Sequence, residues 1–160
     1  MIEQKITTQE GLLKALEKER SLNRTVGFTN GCFDILHPGH VKYLEEAKKR
    51  CDVLVVGVNS DSSVKRLKGP ERPVNGSEYR TTVLAAVESV DFITIFEEDT
   101  PEELIKKVSP EMLFKGGDWD KGPIVGADHV KANEGEVKIV PYVEGYSTTK
   151  IIEKIKKSQG

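Results

Sequence analysis

The sequence predicts an α/β fold built on a doubly wound, five-stranded parallel sheet, and three observations carry that prediction. Val53-Leu54-Val55-Val56-Gly57-Val58 is a continuous apolar, β-branched run of the kind needed by a strand covered on both faces. Residues 24–50 read as strand, polar glycine loop and amphipathic helix, so with the next run they make a strand–helix–strand unit. The alternation then repeats, with short apolar runs at 92–96, 112–114 and 137–140 separated by helical periodicities. A chain of 160 residues is expected to be a single domain, 1–160, with an N-terminal helix and linker at 1–23 and the α/β core at 24–160.

Composition excludes several classes of function. The net charge of −2 leaves no basic excess to meet a nucleic-acid backbone, so nucleic acid is not an expected partner. Cys32 and Cys51 form neither a C-x-x-C pair nor a disulfide framework, which fits a reducing cytoplasm. Met1-Ile2-Glu3-Gln4-Lys5 is no apolar signal region, and no apolar run reaches the roughly eighteen residues of a membrane span. A soluble cytoplasmic protein with no membrane partner is expected.

Taken in order, Thr7 and Glu10 are spaced as a capping box and Leu12, Leu13 and Leu16 form a stripe, predicting a helix over 8–20. Ser21-Leu22-Asn23 leads to a first strand, Thr25-Val26-Gly27-Phe28, which delivers Thr29-Asn30-Gly31-Cys32-Phe33-Asp34 into a loop. His37-Pro38-Gly39-His40 then opens a helix with Val41, Leu44 and Ala47 inward and Lys42, Glu45, Lys48 and Lys49 outward. A helix start leaves its first N–H groups unpaired and carries partial positive charge, so it attracts anions. Pro38 suits the first helical turn, and Gly39 lets a ligand approach the backbone. His37 and His40, two of the chain's three histidines, share a face of that turn. Two imidazoles and a set of free N–H groups therefore converge on one spot, as a phosphate site requires.

After the second strand, Asn59-Ser60-Asp61 emerges beside the first loop, at the sheet edge where ligands gather. Asp61 either bonds a sugar hydroxyl or caps the segment 62–67; both readings stay open. The basic, proline-broken stretch 65–75, with Lys65 and Lys68, is a lid beside the phosphate site or else a solvated connector. Residues 77–90 read as a helix with Val83, Leu84, Val87 and Val90 inward, and Arg80 near its start opposes the helix dipole, which suggests a ligand for it. Glu97-Glu98-Asp99, after the third strand, is expected to be a solvated acidic turn, followed by a helix ending near Val108-Ser109-Pro110.

Met112-Leu113-Phe114 is the fourth strand, and Lys115-Gly116-Gly117-Asp118-Trp119 follows it. The paired glycines either make a plain turn or let a flat ligand approach, with Asp118 and Trp119 adding polar and stacking capacity. His129, in a short helix or turn, is expected at the surface. Beyond the fifth strand, Glu144-Gly145-Tyr146-Ser147-Thr148-Thr149-Lys150 enters a last helix with Ile151, Ile152 and Ile155 inward. Ser147, Thr148 and Thr149 cap that helix and also offer a second group of hydroxyls and N–H groups to phosphate oxygens.

Gly31-Cys32-Phe33-Asp34-Ile35-Leu36-His37-Pro38-Gly39-His40 resembles the G-x-F-D-x-x-H-x-G-H signature of the cytidylyltransferase-like nucleotidyltransferases. Class I aminoacyl-tRNA synthetases share the tetrad type but are far longer, and the chain has no K-M-S-K-S-like segment. Glycerol-3-phosphate cytidylyltransferases look similar at this signature and at the final G-x-S-T-T-K; where they carry an arginine three residues before that glycine, this chain has Tyr142. The adenylyltransferases of ADP-heptose synthesis are a closer match. They look like this chain at Thr29-Asn30-Gly31-Cys32-Phe33-Asp34, Arg72-Pro73-Val74-Asn75, Lys115-Gly116-Gly117-Asp118, Ala132-Asn133-Glu134-Gly135-Glu136-Val137 and Glu144-Gly145-Tyr146-Ser147-Thr148-Thr149.

That resemblance, which covers 24–157, implies a Rossmann-like fold of the H-x-G-H nucleotidyltransferase type and AMP transfer from ATP to D-glycero-β-D-manno-heptose 1-phosphate. ADP-heptose and pyrophosphate are the implied products, feeding lipopolysaccharide inner-core synthesis. A separate heptose kinase upstream and a homodimer are implied as well. His37 and His40 are expected to donate to the α-phosphate, and Lys65 or Lys68 to neutralise the sugar phosphate or the departing pyrophosphate. Thr29, Asn30, Gly31, Cys32, Phe33 and Gly39, with Lys115, Gly116 and Gly117, would frame the nucleotide. Ser147, Thr148 and Thr149 would hold its outer phosphates. Asp34, Asp61, Arg80, Asp118 and Trp119 are candidates for the sugar substrate. Mg²⁺ is expected to ride on the triphosphate, since no carboxylate cage is visible. The alternatives are a CTP-using polyol-phosphate enzyme and a nucleotide-binding module without catalysis.

Overall fold

At the centre of the sheet lies β1 (Val26–Gly31), hydrogen-bonded on one side to β2 (Val53–Asn59) and on the other to β4 (Met112–Gly116). A computed structural model describes residues 1–117 and 122–160 of the chain. The outer strands are β3 (Phe92–Phe96) and β5 (Glu136–Val140); the order is β3-β2-β1-β4-β5 and every pairing is parallel. The five strands fall where the apolar runs predicted them. The chain winds outward from β1 to β3, then crosses to the other side of β1 to lay down β4, so the strand order reverses between β1 and β4.

Seven α-helices connect and cover the sheet among the described residues: α1 (Gln9–Ser21), α2 (Pro38–Lys48), α3 (Asp61–Lys68), α4 (Ser77–Ala85), α5 (Glu102–Val108), α6 (Ala127–Ala132) and α7 (Thr148–Ser158). Alternate residues of β2 serve opposite faces. Val53 and Val55 join Leu12 and Leu16 of α1 and Leu104, Ile105 and Val108 of α5 in one apolar cluster. Leu54, Val56 and Val58 join Leu44 and Ala47 of α2 and Leu84 and Ala85 of α4 in the other. Both faces are thereby covered, which is what the unbroken apolar run of β2 required.

Several local expectations are corrected. The cap of α1 is Thr8, whose hydroxyl accepts from Gly11 N, and not Thr7, whose backbone N–H is donated to Ile93 O on β3. Ser60 rather than Asp61 caps α3, accepting from Ser63 N. The fourth helix stops at Ala85, because successive three-residue turns to Val90 bring Asp91 round to accept from Leu54 N. Val41 is 41% exposed, since the buried stripe of α2 runs through Tyr43, Leu44 and Ala47. Val83 of α4 is exposed for the same kind of reason, with the inward arc on Leu84 and Ala85. Ile155 is 52% exposed, while Ile151 and Ile152 are half-buried; the first turn of α7 rests on the loop between β1 and α2, where Thr148 Oγ1 donates to Ile35 O at 3.4 Å. Among the described residues no helix is long and apolar enough to cross a membrane.

Candidate active site

A cleft of about 1170 Å³ opens over the carboxyl ends of β1 and β4, at the reversal of strand order. Its floor is the loop that leaves β1. Phe33 holds a left-handed φ of 47°, a backbone state costly for an aromatic residue, and its ring lies over Gly31. A Cβ on Gly31 would meet Phe33 Cε2 at 2.9 Å, so the glycine is what admits the ring. Phe33 in turn packs against His40 at a centroid distance of 5.1 Å.

His37 is the N-cap of α2. Its Nδ1 accepts from His40 N, and His40 Nδ1 accepts from His37 N, each at 3.4 Å. The two rings stack with centroids 3.8 Å apart and 20° from parallel, and Tyr146 stacks beyond His37 at 6.2 Å. Because each Nδ1 accepts, the neutral ring carries its proton on Nε2, which has no protein partner among the described residues. Burial lowers the pKa of both; in His40, burial and then the neighbouring His37 bring it down to about 4. At neutral pH the pair therefore presents two uncharged Nε2–H donors beside a helix N-terminus. Gly39 makes the stack possible, since a Cβ there would lie 2.9 Å from two atoms of the His37 ring.

On the β4–β5 side the cleft is lined by Lys115, Gly116 and Tyr142, and the start of α7, also in the lining, rests on the loop before α2. Ser147 caps that helix by accepting from Lys150 N at 3.0 Å, and Ser147, Thr148 and Thr149 all line the cleft. Lys115 and Gly116 are the last residues of β4, and Gly117 follows with φ 115°. The flat ligand expected at these glycines has a counterpart within the chain: the Tyr142 ring lies against both, at 3.0 and 2.9 Å from the Cβ each lacks. Thr29 is buried and bonded to Tyr43 at 2.7 Å, and burial pushes the Tyr43 phenol up to about 12.

On the β2–β3 side lie Asn59, Lys68, Arg72 and the segment 99–101. Asp34 is buried, and its carboxylate accepts from Arg72 Nε at 2.7 Å and from Val74 N and Asn75 N at 2.9 Å. Burial alone would push its pKa up, but these donors outweigh burial and hold it below the usual carboxylate range. Arg80 is buried too, donating from Nε to Asn75 O, from Nη1 to Cys32 O and from Nη2 to Asp61 Oδ1. The Cys32 thiol is raised by burial, against the pull of Lys68, Arg80 and Arg72.

The cytidylyltransferase-like family model matches residues 28–154. The chain belongs to that family. Among its relatives, the bifunctional protein HldE of Marinomonas sp. (strain MWYL1) is 51% identical over 149 residues, covering 93% of this chain and 31% of that one. The bifunctional protein HldE of Pseudomonas entomophila (strain L48) is also 51% identical, over 155 residues, with 97% and 33% covered. The chain thus spans about a third of the length of the curated relatives it matches. A lipopolysaccharide core biosynthesis protein from Thermoplasma volcanium GSS1 superposes with a TM-score of 0.62 at 29% identity, over 78% of this chain and 99% of that one. Pantothenate synthetase from Thermus thermophilus shares the fold, with a TM-score of 0.67 at 18% identity over 96% and 70% of the two chains.

In this cytidylyltransferase-like chain the structure brings His37, His40, Gly39, residues 29–33, Lys68, Lys115, Gly116 and 147–149 to one cleft. Three residues expected at the sugar are engaged by the protein instead. Asp34 has its carboxylate filled by protein donors, and Asp61 and Arg80 pair with each other at 2.7 Å outside the cleft lining. Arg80 opposes no dipole usefully for a ligand; it ties the Cys32 carbonyl, and so the loop after β1, to α4. Lys65 is exposed on α3 and lies outside the cleft. The stretch 65–75 is fastened at its far end by the Asp34 bonds, rather than hanging free as a lid. The acidic turn after β3 is exposed as expected, with Asp99 paired to Arg66, yet Asp99 lines the cleft. His129 bonds Ser109 at 2.8 Å and lies outside the cleft lining. Asp118 and Trp119 lie outside the described residues.

Sequence reasoning missed Arg72, Tyr43, Tyr142 and Tyr146 as cleft residues. Tyr146 sits inside a motif read only for its hydroxyls, and Tyr43 has helical spacing from Gly39. Among the described residues no group of three or more His, Cys, Asp or Glu side chains is placed to hold a metal ion. The cleft carries carboxylates at Asp34, filled by protein donors, and at Asp99 and Glu144, beside N–H, hydroxyl and cationic groups that suit phosphate oxygens; a Mg²⁺ ion carried in on the nucleotide would need no dedicated cage there.

Proposed function

We propose that this chain transfers AMP from ATP to D-glycero-β-D-manno-heptose 1-phosphate, giving ADP-heptose and pyrophosphate. The observation that carries the reading is the His37–His40 pair, whose Nδ1 atoms are committed to the helix start and whose Nε2–H groups are left for phosphate oxygens. The family, the extent of the HldE match and the likeness to a lipopolysaccharide core biosynthesis protein of Thermoplasma all support it. Relatives named bifunctional and three times as long have room for a second activity, and the heptose kinase that must supply the sugar phosphate is one that would fit.

The acceptor phosphate is already an anionic nucleophile at neutral pH, so the reaction needs alignment and charge stabilisation more than a general base. An acceptor phosphate oxygen attacks the α-phosphorus, and the bond to the bridging oxygen of the β-phosphate breaks, that oxygen leaving with the electron pair as pyrophosphate. His37 and His40 donate from Nε2 to the non-bridging oxygens of the α-phosphate, where negative charge gathers in the transition state. Ser147, Thr148 and Thr149 hold the outer phosphates at the second helix start. Residues 29–33, Lys115 and Gly116 frame the adenosine, while Gly117, outside the cleft lining, serves to seat the Tyr142 ring. Lys68, in the cleft where Lys65 is not, meets the acceptor or the leaving pyrophosphate. Mg²⁺, when bound with ATP, neutralises the triphosphate and eases pyrophosphate departure.

Pyrophosphate release measured with ATP or CTP crossed against β-heptose 1-phosphate and glycerol 3-phosphate tests the reading. Release with ATP and heptose phosphate alone is expected. Release with CTP and glycerol phosphate would keep the phosphate site and replace the substrates, whereas silence in all four mixtures would favour a nucleotide-binding module.

A further inference from the structure

Arg72 has only part of its guanidinium engaged by the protein. Its Nε donates to Asp34 Oδ2 at 2.7 Å, with the Asp34 side chain 1% exposed and that of Arg72 17%. Nη1 and Nη2 have no protein partner among the described residues, and Arg72 lines the cleft. The contrast with Arg80 is direct: there all three nitrogens are spent on Asn75, Cys32 and Asp61, and the residue lies outside the cleft lining. Asp34 takes up only one edge of Arg72, since its remaining acceptor capacity is filled by Val74 N and Asn75 N. A planar cation held by one edge, with its terminal nitrogens left over, suits a phosphate received on two oxygens.

Position decides which phosphate. The start of α7 lies against the start of α2, with Tyr146 stacked on His37 and Thr148 Oγ1 bonded to Ile35 O, so the two helix starts together take up the triphosphate. Arg72 and Lys68 come from the segment after β2 and stand near Cys32, with Arg72 held by Asp34. In-line displacement puts the attacking and departing oxygens on opposite sides of the α-phosphorus. An anion seat separate from the two helix starts, on the segment after β2, is therefore where the nucleophile's phosphate belongs.

We propose that Arg72 binds the phosphate of the acceptor, with Asp34 as the positioning residue that fixes its guanidinium; the assignment rests on the adenylyl-transfer reading above. The test uses an anion in place of the sugar. The full chain, loaded with Mg²⁺ and the non-transferable analogue α,β-methylene-ATP, is titrated calorimetrically with inorganic phosphate. Wild type is expected to bind phosphate. Arg72→Ala is expected to weaken that binding at least tenfold while the affinity for the analogue stays within twofold, and Arg72→Lys to recover part of it. Arg72→Gln, which keeps a donor for Asp34 but no charge, is expected to unfold at the wild-type temperature and still lose phosphate; it carries the test if Arg72→Ala does not fold. In turnover, the KM for the acceptor rises and that for ATP does not. Phosphate affinity unchanged in Arg72→Gln, analogue affinity falling as far as phosphate affinity, or no phosphate binding by the loaded wild type would each overturn the assignment. Phosphate binding with no heptose-phosphate turnover would instead retire the acceptor's identity and leave the seat in place.

Discussion

The imidazoles of His37 and His40 lie 3.8 Å apart, and each ring accepts the other residue's backbone N–H through Nδ1. The helix start thus engages one nitrogen of each ring and leaves the other, Nε2, for the phosphate recognition proposed above.

Removing one donor therefore costs catalysis more than binding. His40→Ala is expected to lower kcat by about 10²–10³, the usual loss for one donor to a developing charge, with the KM for ATP changed only a few-fold. Steady-state kinetics with both substrates varied decide it; equal losses in kcat and ATP affinity would contradict a transition-state role.

Gly39→Ala tests the stack without touching an imidazole. The new Cβ would meet His37 Cε1 and Nδ1 at 2.9 Å, so the ring must move by several tenths of an ångström. A displacement of that order is expected to lower kcat by roughly tenfold or more, while the melting temperature stays within a few degrees of wild type.

Acidification reports on the buried ring. The pKa of His40 falls from its ordinary 6.5 to about 4 in the folded chain, so between these values the unfolded chain binds more protons. Stability is therefore expected to fall as pH drops through that window, and urea midpoints at pH 7 and pH 5 measure the loss. His40→Ala should flatten the slope. A bound triphosphate favours the charged imidazole, so ATP binding near pH 5.5 is expected to take up protons. Calorimetry in buffers of different ionisation enthalpy detects this, and the uptake should shrink in His40→Ala.

Arg80 tests the framework. Its side chain is wholly buried and serves three acceptors. Arg80→Ala strands the Cys32 and Asn75 carbonyls and is expected to cost about 3–5 kcal/mol, or roughly 10 °C in melting temperature. Arg80→Lys should recover little, because an ammonium cannot span three divergent acceptors.

Strand positions and the phosphate loop were legible because they are written locally. β-branched runs mark buried strands, and Pro38-Gly39 between two histidines marks a helix start. The fates of Asp34 and Arg80 were not, since their partners stand 38 and 48 residues away, at Arg72 and Cys32. Composition shows that a carboxylate and a guanidinium are present; only the closed fold shows that the carboxylate is filled and the guanidinium enclosed. Val41, Val83 and Ile155 misled in another way: periodicity finds an apolar arc but not how much of it the sheet covers.

The reversal of strand order between β1 and β4 also bears on how such a protein can diversify. Groups suited to the nucleotide hang from β4, β5 and α7, whereas Lys68, Arg72 and residues 99–101 hang from the far side of β1. The two sides meet in the loop after β1, where Asp34 binds residues 72–75 and the Cys32 carbonyl binds Arg80. Change in the segments after β2 is therefore constrained wherever it touches those bonds, and freer at Lys68 and residues 99–101, which line the cleft without holding that loop.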